Sequence, residues 1–123
     1  MTCGELIENV NDLMTNTFST EQKVSWLKNL DGKIFLEVMA NHEHRRGEFY
    51  DRDDRYTEDT ELLVQPPYAE DIYTNYLMAQ IAAMNAETIK YNQYITLYNN
   101  AYDQFASWYN KTHMPVSHGR WRF

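Results

Sequence analysis

At 123 residues, with 43% hydrophobic and 24% charged residues, the chain has the size and composition of one folded domain and is too short for two. Eighteen acidic residues against eleven basic give a net charge of −7, which argues against wholesale or sequence-specific binding to nucleic acid. The single cysteine, Cys3, excludes an internal disulfide and suits a reducing compartment; no apolar run approaches the ~18 residues a membrane span needs, and the first dozen residues are too acidic and polar for a signal peptide.

In chain order, residues 4–14 carry Leu6, Val10, Leu13 and Met14 at helical spacing, with Glu5 and Glu8 in the early turns. Ser19 followed by Gln22 reads as a capping box for a second helix starting near Thr20, with Val24, Leu27 and Leu30 on its apolar face and Trp26 beside them. Asp31-Gly32 predicts a stop or kink. A third helix is expected from about Lys33 to His44, with Phe35, Val38 and Met39 on one side and Ile34 nearby. From residue 43 to 61 the character changes to eight acids and four arginines, which predicts a long exposed loop over 47–60 that lacks regular helix. Leu62-Leu63-Val64 is a short extended apolar piece, and Pro66-Pro67 sets the start of the final helical region, with Pro67 near its first turn.

Residues 68–114 contain no glycine or proline. Along them Leu77, Ile81, Met84, Thr88, Tyr91, Ile95, Tyr98, Tyr102, Phe105 and Tyr109 recur alternately four and three residues apart, which places all ten on one side of a helix. As one straight helix the stripe would span about 50 Å at roughly 1.5 Å per residue. A compact domain of this length is only about 35 Å across. The helix must therefore bend back near residues 85 to 92, or protrude and be covered by other copies. Tyr94, Leu97, Ala101 and Trp108 form a second apolar run on an adjacent side, and a helix apolar on two sides needs cover on two sides. Ten tyrosines, in a chain that is 15% aromatic, suit surfaces that are buried at one end and wet at the other. The tail from 115 to 123 has two arginines, no acids, and the anchor-type residues Trp121 and Phe123. Tyr94, Leu97, Trp108, Trp121 and Phe123 are the candidate interface residues. The fold expected is an all-α small helical bundle in a single domain: short helices over 1–44, an acidic loop over 45–67, a long helix or helix pair over 68–114, and the tail.

Residues that bear chemistry are sparse. In Asn41-His42-Glu43-His44 the two histidines are two apart and point to different faces, so a solvated helix end is the better account than a metal site. Asp51, Asp53 and Asp54 begin like a calcium loop, but Tyr56 stands where glycine is needed and Leu62 where glutamate is. There is no glycine-rich phosphate loop, nucleophile elbow or Cys–His pair at a recognisable spacing, so neither catalysis nor a cofactor or metal is expected.

The run Ser19-Thr20-Glu21-Gln22-Lys23-Val24-Ser25-Trp26-Leu27, continuing through Leu30-Asp31-Gly32-Lys33-Ile34-Phe35, resembles the N-terminal signature of small proteins encoded in the head-morphogenesis cluster of tailed bacteriophages and prophages of Gram-positive bacteria. Leu62-Leu63-Val64-Gln65-Pro66-Pro67-Tyr68, then Tyr73, Tyr76-Leu77 and Ala79-Gln80-Ile81, resemble it too, as do Tyr91-Asn92, Tyr102, Phe105, Trp108-Tyr109-Asn110 and Thr112-His113. The resemblance covers nearly the whole chain except the acidic loop, and Pro67 departs from it, standing where an acidic or polar residue is expected. It implies a head–tail connector (adaptor): a ring subunit between portal and tail, partnered by itself, with or without the portal as template, and by portal and tail-completion proteins. It also implies a virion component assembled in the bacterial host cytoplasm, and it carries no catalytic residues. The rival reading is a small acidic regulatory protein that captures a host factor as a monomer or dimer, using the 43–61 segment.

Overall fold

The structure is a computed structural model that describes residues 1–39 and 56–112. Among these residues all regular structure is helical: α1 (Cys3–Leu13), α2 (Thr20–Ile34), a π-helical turn (Phe35–Met39), α3 (Tyr68–Met84) and α4 (Thr88–Thr112). This is the expected all-α bundle.

The helix starts follow local chemistry. Thr2 caps α1: its hydroxyl accepts from the Glu5 amide at 3.2 Å, and the Glu5 carboxylate accepts from the Thr2 amide at 2.9 Å. The Thr2 amide first, and then the Thr2 hydroxyl, which donates to the same carboxylate at 3.2 Å, hold the Glu5 carboxyl below its ordinary value. Ser19 caps α2 by accepting from the Gln22 amide at 3.1 Å, one half of the expected capping box without the reciprocal bond to the Gln22 side chain, and Pro67 is the residue before α3, near the start expected for it.

Asp31-Gly32 is different. It does not stop α2, which runs through to Ile34 and into the π turn, so the second and third expected helices are continuous as far as Met39. The residues expected to extend that helix to His44 lie outside the described ones. The Phe35 amide donates to the carbonyls of both Asp31 and Gly32, and the wider π turn lets Phe35, Val38 and Met39 all face the core.

Asp31 is fully buried and explains the difference. Its carboxylate accepts from the Tyr73 hydroxyl on α3, from the Tyr56 hydroxyl at 2.8 Å and from the Leu63 amide at 3.1 Å. The Tyr73 oxygen in turn accepts from the Val64 amide at 2.9 Å. These bonds fasten the non-helical segment 56–64, which turns at 58–59, between α2 and α3, with Leu62, Leu63 and Val64 in the core. The same segment lies along the N-terminus: the Gly4 and Cys3 amides donate to the Glu58 and Thr60 carbonyls at 2.8 and 2.9 Å. A Cβ on Gly4 would stand 3.0 Å from the Glu58 oxygen, so glycine permits this approach. Residues 56–60, the end of the expected exposed loop, carry no helix and expose Thr57, Glu58 and Asp59, while their backbone is docked on the N-terminus; residues 47–55 lie outside the described ones.

The long stripe is broken. After Met84 the chain reverses through Asn85, Ala86 and Glu87, and α4 packs antiparallel along α3, so the chain bends back rather than protruding. The Glu87 amide donates to the Ala82 carbonyl at 2.9 Å and the Ala86 amide to the Ala83 carbonyl at 3.2 Å, the pattern of a Schellman motif. Ala86 sits at φ 57°, the left-handed position that glycine normally fills. Ala86→Gly is therefore expected to stabilise the protein by about 0.5–1 kcal/mol. Thermal melts should show a rise of roughly 2–5 °C; a fall would mean the turn is held otherwise.

Helices α1 and α2 pack against each other and against α3, whereas among the described elements α4 touches α3 and the π turn. Of the described elements, α1 and α2 therefore cover α3, and only the π turn reaches α4 from that side. One core joins them, from Leu6, Leu27 and Leu30 through Phe35 and Tyr73 to Phe105 and Tyr109.

Candidate interaction surface

The inner side of α4 is set by helical periodicity. Tyr98, Ala101, Phe105 and Tyr109 are buried against α3 and the π turn. Rings interlock across the pair: Tyr76 with Tyr98 at 5.3 Å, and Tyr68 with Phe105 at 5.9 Å and Trp108 at 5.2 Å. The Tyr102 hydroxyl donates to Glu37 at 2.7 Å, tying α4 to the π turn.

Of the candidate interface residues, Leu97 falls on the outer side, while Tyr94 and Trp108 straddle it and the core they pack against. Tyr94 is half-buried, Leu97 is 50% exposed and Trp108 is 40% exposed. Leu97 and Trp108 are eleven residues apart, three turns, and so lie on one line along the helix. Ala101, grouped with them by spacing, is buried on the α3 side, and Trp108 leans over Tyr68. Trp121 and Phe123 lie outside the described residues, as do His42, His44, Asp51, Asp53 and Asp54.

Ile89, 77% exposed, belongs to this surface and was not singled out by the stripe. Its signal was available, an isoleucine standing off the 3.5-residue pattern. Ile89, Asn92, Gln93, Tyr94, Thr96 and Leu97 line a shallow groove of about 660 Å³. Nearer the helix end Tyr68, Asp103, Gln104, Ser107, Trp108 and Lys111 line another of about 510 Å³.

The electrostatics of the surface are unusual for this chain. The 25 residues of α4 include only Lys90, Asp103 and Lys111 as charged side chains; the rest of its outer side is mainly asparagine, glutamine, serine and threonine. Glu87 pairs with Lys90 at 3.1 Å. Depletion of charge with exposed aromatic and aliphatic residues is the composition of an interface centre. It equips α4 to bind by packing and neutral hydrogen bonds. Among the described residues no group of three or more His, Cys, Asp or Glu side chains is placed to hold a metal ion, and no helix is long and apolar enough to cross a membrane.

The tyrosines make stability sensitive to alkali. Burial raises the Tyr73 phenol well above its ordinary value, with the charge of Asp31 and the bond to it adding to the effect. Burial also raises Tyr76, Tyr98 and Tyr102, the last reinforced by its bond to Glu37. Because these folded-state values lie above the unfolded ones, the unfolded chain loses the protons first once the pH passes about 10. Stability should be fully present below that pH and fall above it, by up to ~1.4 kcal/mol per pH unit for Tyr73 alone. Lys23, 2% exposed with its Nζ donating to Asn11 Oδ1 at 2.7 Å, is pushed down by burial and opposes the trend below its unfolded value. Denaturation followed by phenolate absorbance from pH 8 to 11.5 checks this. A midpoint that stays constant across that range would contradict it.

Comparison with known protein families, curated proteins and solved structures returned no match.

Proposed function

We propose that this chain is a structural protein of a tailed phage or prophage, a head–tail connector that assembles as a ring subunit between portal and tail. The observation that carries the reading is the outer side of α4, which is neutral, aromatic-bearing and covered by no other described element. A subunit that works by packing needs such a face. The resemblance of residues 19–35, 62–81 and 91–113 to small proteins of the head-morphogenesis cluster supplies the phage context, and the helical fold is compatible with it. Portal and tail-completion proteins are the proposed further partners, and the virion formed in the host cytoplasm is the proposed location.

The test is electron microscopy of particles made without this protein. Separate full heads and free tails are expected, with joining restored by the protein supplied in trans. Virions with tails attached normally would end the proposal.

A further inference from the structure

We infer that the outer side of α4 docks on a different surface of a second copy of this chain, in a head-to-tail contact centred on Leu97. The inference rests on the reading of the chain as an assembly subunit and specifies the face it uses.

Three observations carry it. Tyr94, Leu97, Gln104 and Trp108 lie along one line of α4 at spacings of three, seven and four residues, with the buried Ala101 beneath the gap, a register with which a helix seats against another along its length. The second observation is charge. Copies bearing −7 each repel, and they do so least where one copy contributes almost no acid; α4 is that place, with Asp103 alone against two lysines. A strongly basic partner would instead be drawn to surfaces such as α1, which exposes Glu5, Glu8 and Asp12. The third observation is where the lysines stand. Lys90, which also pairs with Glu87 at 3.1 Å, and Lys111 bound the seam at its two ends, so pairing α4 on α4 in full register, parallel or antiparallel, would set lysine against lysine at both ends. Docking on another, acidic surface of the neighbour avoids this, and a contact between unlike surfaces propagates into rings or chains.

Area sets the strength. A helix of this length is about 37 Å long and presents a strip some 12 Å wide, or roughly 450 Å² per copy and 900 Å² in all. That is below the ~1,200–2,000 Å² of stable complexes, so one contact is weak and gains effect when copies are held close together.

Sedimentation of the purified chain from about 10 μM to 1 mM tests this. The parent should associate with rising concentration and pass beyond the dimer. Leu97→Glu puts a charge into the seam at a half-exposed site, and should weaken association at least tenfold with helix content unchanged. Asn99→Glu adds the same charge on the other flank of α4 and should associate like the parent. A parent still monomeric at 1 mM, a Leu97→Glu chain that associates equally well, or association that stops at the dimer would each overturn the inference. If the seam behaves as described while particles lacking the protein are normal, the connector reading alone falls. If the particles fail while Leu97→Glu still associates, the connector reading stands and the seam falls.

Discussion

Replacing Asp31 by alanine should cost about 3–5 kcal/mol, enough to unfold or nearly unfold a domain whose whole stability is about 5–15 kcal/mol. The side chain is fully buried, and its removal takes the acceptor from the Tyr73 hydroxyl and the Leu63 amide, both buried, and from the part-buried Tyr56 hydroxyl. Each stranded buried donor costs about 1–3 kcal/mol, more than a formed bond contributes in net, because the unfolded chain satisfies the same groups with water. The damage should spread along the 56–64 segment. Leu62, Leu63 and Val64 reach the core only while that segment is held between α2 and α3. Asp31→Asn keeps the shape and one carbonyl oxygen, so it should cost less. Urea denaturation of the two variants beside the parent checks the order. A loss below about 1 kcal/mol for Asp31→Ala would show that the carboxylate does not hold the segment.

Phe105→Ala should be comparably severe, at about 3–5 kcal/mol, but its damage should be local. Phe105 is 2% exposed and packs against Tyr68 and Tyr109 at ring-centroid distances of 5.9 and 5.8 Å. Among the described elements helix α4 rests on α3 and the π turn, so losing its central anchor weakens its docking without reaching α1 or most of α2. Hydrogen exchange should therefore show amides of Thr88–Thr112 opening well before those of α1 and α2. Uniform loss of protection over all four helices would mean that α4 is not a separable unit.

Much of the fold was legible because helix ends and amphipathic faces are local properties. Ser19 with Gln22 marks the start of α2 through a hydroxyl three residues from the amide it caps, and Pro67 marks the start of α3 through a fixed backbone angle. Leu62-Leu63-Val64 reads as a short apolar piece, and the structure buries all three. The stripe from Leu77 to Tyr109 marks the positions facing the core in both long helices: Leu77, Ile81, Tyr98, Phe105 and Tyr109 are buried, while Met84 and Thr88, nearest the reversal, are exposed.

What the sequence by itself determined, then, is helical class, the approximate ends of the helices, the apolar side of each, and the shortage of residues that bear chemistry. The tertiary structure alone decided the rest. Asp31-Gly32 has the local signature of a helix stop, and it is overridden because Tyr56, Leu63 and Tyr73, distant in sequence, supply the donors that a buried carboxylate requires. The reversal at Ala86 carries no glycine to announce it; the packing of α4 along α3 offsets the cost of a left-handed alanine. Periodicity shows that α4 has two apolar flanks, but only the packing reveals that α3 and the π turn cover one and leave Leu97 and Ile89 outward. The reason is common to all three. A helix and its cap are fixed by groups within a few residues, whereas burial depends on which distant segments arrive.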